Sequence, residues 1–423
     1  MRDTIFAVAT PPGRSGVAVL RLSGPGAAAA AETLAGPLPP PRRAGLRRLT
    51  GPDGVIDEAI VLHFPGPASF TGEDVVELQC HGSRAVLRAL SDALAALPGL
   101  RVAEAGEFTR RALVAGRMTV AEVEGLGDLL DAETERQRRQ SFSLFDGAVA
   151  ARVAGWRARL LTAMTLCETA IDFGEEDVPD DIADRLAAIL AELAAELTRA
   201  VAEARAGQGL REGYTIAIVG LPNSGKSSLI NILSGRDLAL VSEVAGTTRD
   251  VIELRYDLRG LMVTFLDTAG LRDGADPVER AGIDRAAARA AEADLRLFLS
   301  NPATISRVAF RPGDLIRSAF ADRGTGDFSS TDGRGVDALL DDLHEVLDAR
   351  ASAADVFCRE RHRLHLQSAR DTVDAASRNL DIAQLDLVGE DLRQTGQSLD
   401  ELVGRIGTED VLDELFTSFC IGK

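Results

Sequence analysis

Residues 220–227 read Gly-Leu-Pro-Asn-Ser-Gly-Lys-Ser and meet every fixed position of the pattern G-x-x-x-x-G-K-[ST]. No other stretch constrains the fold as tightly. Such a loop needs a buried strand before it and a helix after it. The loop aims main-chain N–H groups at one point, and the helix N-terminus adds its partial positive charge there. Both flanks comply: Tyr214–Val219 is an apolar run of strand length, and Ser228-Leu229-Ile230 opens an apolar helix. Gly220 and Gly225 leave room for phosphate oxygens beside the backbone, with Asn223 and Ser224 between them. Lys226 suits the β- and γ-phosphates, and the hydroxyl of Ser227 suits Mg²⁺. A chance glycine-rich turn would not carry strand, lysine, hydroxyl and helix together.

The remaining signals of a GTP-binding domain follow in order. Gly246-Thr247-Thr248-Arg249-Asp250 has the form of a first switch, in which a threonine closes on Mg²⁺ and the γ-phosphate. Val251–Leu258 alternates polar and apolar residues, Arg259-Gly260 makes a turn, and Leu261–Leu266 reads as a buried strand. That strand delivers Asp267-Thr268-Ala269-Gly270, a D-x-x-G element: Asp267 supports Mg²⁺ through water and the Gly270 amide senses the γ-phosphate. Each element is weak alone; the ordered set is strong. The guanine side departs from the usual N-K-x-D. Its best register is Ala319-Phe320-Ala321-Asp322, which keeps only Asp322 to meet the base N1 and N2 hydrogens. Arg311-Pro312-Gly313-Asp314 is a poorer register because it precedes the expected strand. Ser329-Ser330-Thr331-Asp332-Gly333-Arg334-Gly335 resembles the closing S-A-K-x-G-x-G loop, and the segment from Asp294 to Asp322 is short. Weakened guanine selectivity or affinity is therefore expected.

At 423 residues the chain exceeds one domain of about 100–200 residues. Residues 1–115 mix short apolar runs with Gly and Pro. Strands are expected at Ile5–Ala9, Gly16–Leu22, Ala59–Phe64 and Asp74–Gln79, a helix at Ser83–Ala96 and a loop at Gly36–Arg43: an α+β pattern. Residues 116–206 turn helical. One stripe comprises Trp156, Leu160, Ala163, Cys167 and Ile171; another comprises Ile182, Leu186, Ile189, Leu193, Leu197 and Val201. Trp156 and Cys167 read as core residues. The acidic stretch Phe173–Asp180, with Pro179, is expected to separate the two helices, and Gly207-Gln208-Gly209 to act as a hinge. Residues 207–354 are α/β. Residues 355–423 are helical again, with stripes at Leu385–Leu402 and Thr408–Phe419 and Thr408 as an N-cap. One helical texture on both sides of an α/β block predicts an inserted domain.

Formal net charge is −18, the wrong sign for bulk electrostatic binding to nucleic acid. No apolar run approaches the roughly 20 residues of a membrane span. Met1-Arg2-Asp3-Thr4 leads into Ile5-Phe6-Ala7-Val8, too short an apolar stretch for a signal peptide. Cys80, Cys167, Cys358 and Cys420 are scattered and form no C-x-x-C pair. The expected setting is the reducing cytoplasm, without membrane association.

Segments beyond the phosphate loop carry a more specific signal. They are Asp3-Thr4-Ile5, Ala9-Thr10-Pro11-Pro12-Gly13-Arg14-Ser15-Gly16-Val17, Ser69-Phe70-Thr71-Gly72-Glu73-Asp74-Val75-Val76-Glu77, Gly106-Glu107-Phe108-Thr109-Arg110-Arg111-Ala112 and Cys420-Ile421-Gly422-Lys423. Through them the chain resembles the MnmE (TrmE) family of bacterial tRNA-modification GTPases along nearly its whole length. The resemblance implies a folate-binding, dimerising domain at 1–115, a discontinuous helical domain at 116–206 and 355–423, and an inserted Ras-like P-loop G domain at 207–354. It implies a homodimer that joins an FAD-dependent MnmG-like partner in a heterotetramer. Together they would modify C5 of the wobble uridine (position 34) of certain tRNAs, with 5-formyl- or 5,10-methylene-tetrahydrofolate donating a one-carbon unit.

The same resemblance assigns residues. Folate contacts fall on Arg21, Glu77, Arg117 and Lys423; Arg117 stands where the family commonly has lysine, which keeps the charge and changes the geometry. Potassium would serve where other GTPases use an arginine finger, held by Asn223, Ser242, Thr247 and the Val244 carbonyl. Thr248 would join Ser227 on Mg²⁺, and Glu279 would orient the attacking water through a second water. The GTP-contacting set then comprises Gly220, Asn223, Ser224, Gly225, Lys226, Ser227, Ser228, Ser242, Glu243, Val244, Ala245, Gly246, Thr247, Thr248, Asp267, Thr268, Ala269, Gly270, Asp322, Ser329, Ser330 and Thr331. By position alone Glu279 reads as a solvated helix-start acid. Cys420 is a candidate nucleophile toward C6 of uracil, with a packing role favoured. Two alternatives stand beside this reading. One is a ribosome-assembly GTPase of the Era or Der type, although no basic RNA module is visible. The other is a family member with impaired guanine binding that acts as a folate-binding scaffold.

Overall fold

The structure, a computed structural model, describes residues 3–177, 182–236, 238–240, 253–267, 287–305, 308–380 and 385–404, together with Phe416, Phe419 and Gly422. The chain divides into two compact units, Met1–Gly127 with Val403–Lys423, and Asp128–Leu402.

The first unit contains β1 (Thr4–Val8), β2 (Ser15–Ser23), α1 (Ala27–Ala35), β3 (Gly45–Gly51), β4 (Gly54–Phe64), β5 (Val75–Gly82), α2 (Arg84–Ala95), β6 (Leu100–Val102), α3 (Glu107–Val114) and the start of α4 (Val120–Asp131). Its sheet has the order β3-β4-β5-β2-β1-β6, antiparallel except for the β1–β6 pair. The strand period of two decides which side chains lie inside. Ala18, Leu20 and Leu22 of β2 and Val76, Leu78 and Cys80 of β5 point to one face, where α1 and α2 cover them. Arg21 and Glu77, one residue out of phase with that core, point to the other face. There Ile5 and Ala7 pack on Phe108 of α3. The expected strands are present, with β4 starting earlier, at Gly54, and the expected helix is capped by Ser83, whose Oγ accepts from Val86 N at 3.2 Å. Elements α1, β3, β6 and α3 were not expected from the sequence. The alanine run of α1 has high helix propensity but almost no polar face to give it a period.

The second unit begins with α5 (Glu135–Phe145), α6 (Ala148–Asp177) and α7 (Ile182–Glu212), and ends with α9 (Val336–Ala351), α10 (Glu360–Arg378) and α11 (Leu385–Val403). Helix α7 packs along α6 and α10. Trp156, Leu160, Ala163 and Cys167 are buried as expected, whereas Ile171 is 42% exposed; in α7, Leu190 takes the buried place and Ile189 is only half-buried. Trp156 stacks on Phe357 at 5.8 Å and donates through Nε1 to Glu196 at 2.8 Å. The stretch Phe173–Asp180 separates the two helices as expected, although α6 runs into it as far as Asp177 before α7 starts at Ile182. The expected hinge at Gly207-Gln208-Gly209 needs correction: it lies inside α7. A Cβ on Gly207 would fall 2.1 Å from Phe357 O, and one on Gly209 would fall 2.9 Å from the Tyr214 ring. These glycines allow close packing rather than bending.

Between the helices lie β7 (Tyr214–Val219), α8 (Lys226–Ser234), β8 (Ala239–Leu240), β9 (Glu253–Leu258), β10 (Leu261–Asp267), β11 (Leu295–Phe298) and β12 (Leu315–Ile316). The sheet order is β12-β11-β7-β10-β9-β8; β12, β11, β7 and β10 run parallel, and β9 and β8 are antiparallel additions. The β9–β10 turn uses Arg259 at φ 54° and Gly260 at φ 90°, the doubly left-handed geometry that matches hairpin twist. Among the described residues no helix is long and apolar enough to cross a membrane.

Candidate functional site

Central strand β7 ends at Val219, and the chain turns through Gly220–Gly225 into α8. Asn223 at φ 63° and Gly225 at φ 95° take left-handed backbone to close the loop. A Cβ on Gly220 would fall 2.4 Å from Ser224 Oγ, and one on Gly225 would fall 3.0 Å from Ala319 Cβ. Lys226 is buried and turns back into the loop, donating from Nζ to Gly220 O and Leu221 O at 2.9 Å each. The β7–β10 register sets Asp267 beside Ile218, so the end of β10 comes level with the mouth of the loop. This is why Ser227 meets a residue 40 positions away: its Oγ donates to Asp267 Oδ2 at 2.8 Å. Asp267 Oδ1 and Ser224 Oγ are buried without a hydrogen-bond partner among the described residues. A hydroxyl against a buried carboxylate with an unsatisfied oxygen is a donor set that suits Mg²⁺. The lysine and loop amides suit a polyphosphate.

On the base side, β12 pairs with β11 and runs on into Arg317, whose N–H donates to Phe298 O at 2.9 Å. The strand thus lies between Asp314 and Ala319–Asp322. Asp314 is engaged elsewhere: it is buried, accepts from Arg296 Nε at 2.8 Å and caps Arg311 N at 2.7 Å. Ala319 packs on the phosphate loop. Phe320 takes φ 76°, an unusual conformation for a bulky side chain, with the Arg323 guanidinium 4.8 Å above its ring. Asp322 stays partly exposed, 4.0 Å from Arg323 Nε. The Ala321 N–H bond to Phe328 O, 2.9 Å, ties this turn to the closing loop. There Ser329 Oγ accepts from the N–H groups of Thr331 and Asp332, and Ser330 Oγ lies 3.9 Å from the Cβ position of Gly225. Ser228 is exposed on the first turn of α8. Ser242, Glu243, Val244, Ala245, Gly246, Thr247, Thr248, Thr268, Ala269, Gly270 and Glu279 lie outside the described residues, as do Cys420 and Lys423.

The first unit holds a second site. The β2–β5 register sets Arg21 opposite Glu77, and the two form an ion pair, Nε to Oε1 at 3.0 Å and Nη2 to Oε1 at 2.9 Å. Arg21 also lies over the rings of Phe70 and Phe108 and donates to Gly422 O at 3.4 Å, beside the expected Lys423. A cavity of about 320 Å³ opens here, bringing Arg21, Glu77 and Arg117 together with Arg42, Phe64 and Phe70. The last three were not foreseen. Phe70 sits inside a segment already singled out, but nothing local marks Arg42 or Phe64. Around the cavity's supporting helix α3, Arg111 bridges Glu73 at 3.0 Å and Glu107 at 2.9 Å. Burial opposes ionisation of Glu107, but hydrogen bonds from Arg101 and Arg111 outweigh it and hold its carboxyl below the ordinary range.

Comparison with known proteins covers the whole chain. The MnmE helical-domain family matches residues 120–420, and the family of GTP-binding protein TrmE N-termini matches residues 4–117. The tRNA modification GTPase MnmE of Roseobacter denitrificans is 48% identical over 427 residues, covering 100% of both chains. The proteins of that name from Ruegeria pomeroyi and Cereibacter sphaeroides are each 49% identical over 427 residues, again across 100% of both chains. Among solved structures, the cytosolic domain of the T. maritima FeoB iron transporter in a GDP form aligns at TM-score 0.24 and 13% identity. It covers 45% of this chain and 98% of its own, a likeness too slight to carry a fold argument.

Proposed function

The chain belongs to the MnmE family of tRNA modification GTPases, and from that premise we propose that it is a potassium-activated GTP hydrolase acting in wobble-uridine modification. One observation carries the GTPase part. The loop Gly220–Ser227 lies between the central strand and α8, with Lys226 turned into it and Ser227 on Asp267. Full-length similarity to relatives of one name displaces the ribosome-assembly alternative.

In this reading the loop amides and Lys226 would hold the phosphates, Ser227 and Thr248 would hold Mg²⁺, and Asp267 would support it through water. Asn223, Ser242, Thr247 and the Val244 carbonyl would hold K⁺. The two cations, when bound, offset negative charge on the phosphates and on the departing group. Glu279 orients the attacking water. Asp322 accepts the base N–H groups, and Ala319 and Phe320 remove the amide and the ammonium that would sharpen guanine recognition. Guanine selectivity or affinity is therefore weakened. The folate cavity, built mainly on the N-terminal segment 1–115, would use Glu77 to accept N–H donors and Arg21, with Arg117 and Lys423 from beyond that segment, to meet negative charge. The G domain at 207–354 is inserted in the helical domain formed by 116–206 and 355–423. The homodimer works with an MnmG-like flavoprotein on tRNA in the cytoplasm, with tetrahydrofolate as one-carbon donor, and Cys420 packs rather than reacts.

GTP turnover measured in potassium against sodium, for the natural chain and for Glu279→Ala, tests this. Potassium should raise the natural rate and leave the variant slow. Equal rates in the two salts overturn the potassium assignment, and absence of bound nucleotide at millimolar GTP overturns the whole reading.

A further inference from the structure

The cavity of the first unit is lined by three guanidinium groups, Arg21, Arg42 and Arg117, and by one carboxylate, Glu77. Arg21 is neutralised by its pair with Glu77. Arg42 and Arg117 have no carboxylate partner among the described residues, so the cavity wall carries excess positive charge in a chain of net charge −18. Arg42 is held in place without such a partner. Its backbone N–H donates to His63 O at 2.8 Å, its guanidinium lies over the Phe64 ring at 5.6 Å, and Nη2 donates to Ala68 O. It adopts φ 61°, a left-handed conformation that a non-glycine residue occupies against its preference. An arginine braced on an aromatic face, whose side chain has one hydrogen-bond partner, Ala68 O, among the described residues, is arranged to receive a carboxylate.

The register separates the two ends of the cavity. Leu62 pairs with Glu77 and Phe64 with Val75, so Phe64 lies two residues, about 7 Å, along the strand from the Arg21–Glu77 pair. A ligand with N–H donors at one end and a carboxylate at the other fits this polarity. Resting on the folate reading of this cavity, we propose that Arg42 binds the glutamyl carboxylates of the folate and makes the site select glutamate-bearing folates over the bare pteroate. Arg117 supplies a second positive charge on the same wall.

The test measures binding of 5-formyltetrahydrofolate and of its glutamate-free counterpart 5-formyltetrahydropteroate to the full chain by equilibrium dialysis. The chains compared are the natural one, Arg42→Gly and Arg42→Lys. Glycine is chosen because it relaxes the left-handed backbone, so loss of the fold does not imitate loss of the contact. The natural chain should prefer the glutamate-bearing ligand about tenfold or more. Arg42→Gly should abolish that preference without changing affinity for the pteroate, and Arg42→Lys should keep part of it. A preference that survives in Arg42→Gly, or an equal loss of affinity for both ligands, overturns the role of Arg42 and leaves the folate site standing. Failure of the natural chain to bind either compound removes the folate reading and this proposal with it.

Discussion

Gly207→Ala separates a hinge from a packing contact. In a helix interior, replacing an unconstrained glycine by alanine stabilises by about 0.5–1 kcal/mol. The environment of Gly207 reverses the sign. The new Cβ would stand 2.1 Å from Phe357 O and 3.1 Å from Gln140 Nε2. A carbon–oxygen contact needs about 3.3 Å, so α7 and the segment at 357 must separate by roughly 1 Å. The shift also strains the bonds from Gln140 Nε2 to Gly207 O, 3.3 Å, and to Asp355 O, 2.9 Å. Overpacking of this kind costs about 1–3 kcal/mol. Against the propensity gain, the net effect is a destabilisation of about 1–2 kcal/mol. Gly155 in α6 is the internal control, since a Cβ there meets nothing within 4 Å, and Gly155→Ala should stabilise. Trp156 is the chain's only tryptophan and stacks on Phe357, so its fluorescence during urea denaturation reports this region directly. Gly207→Ala should lower the midpoint and Gly155→Ala raise it. A Gly207→Ala midpoint at or above that of the natural chain would refute the close-contact argument and restore the hinge.

Gly225→Ala should lower nucleotide affinity at least tenfold and the urea midpoint by the equivalent of about 1–2 kcal/mol, because it strains a φ of 95° and brings a Cβ to 3.0 Å from the buried Ala319 Cβ; nucleotide titration reads the first and fluorescence the second. Asp314→Ala leaves Arg296 charged and buried, which should destabilise by about 3–5 kcal/mol in thermal or urea unfolding and leave the preference among GTP, ATP and XTP as it was. Hydrogen bonds from Arg159 and Trp156 hold the Glu196 carboxyl down to about 2 from an ordinary 4.5. A depressed carboxyl adds stability above its unfolded value and loses it as pH falls through the folded one. Glu196→Gln should therefore be less stable than the natural chain by about 1–2 kcal/mol at pH 7, and the difference should vanish between pH 4.5 and 2 in Trp156-monitored unfolding.

Much of the nucleotide site was legible before any coordinates, because its parts are local. Gly220, Gly225, Lys226 and Ser227 occupy one turn, and their spacing alone requires the strand, loop and helix around them. The order Asp314, strand, Asp322 was also legible, since the apolar pair Leu315-Ile316 lies between the two aspartates. That Arg21, Glu77 and Arg117 would share one cavity was implied only through family likeness. Arg42 and Phe64 stand far apart in sequence, in a loop and at a strand end, and carry no local period that joins them.

Sequence alone determined those elements that carry a clear period, and the apolar face of each to within a residue or two, because the periods of 2 and 3.6 residues follow from backbone geometry within a few turns of chain. Thus Arg21 and Glu77 had to lie on the polar side of their strands, and Trp156 and Cys167 on the buried side of α6. Tertiary structure decided which faces meet. It set Arg21 opposite Glu77 across strands 56 residues apart, brought Ser227 to Asp267, engaged Asp314 with Arg296, and pressed Gly207 against Phe357. Pairings of that kind depend on sheet register and on how distant segments close over one another, and a glycine read in isolation carries no record of the carbonyl that will pack against it.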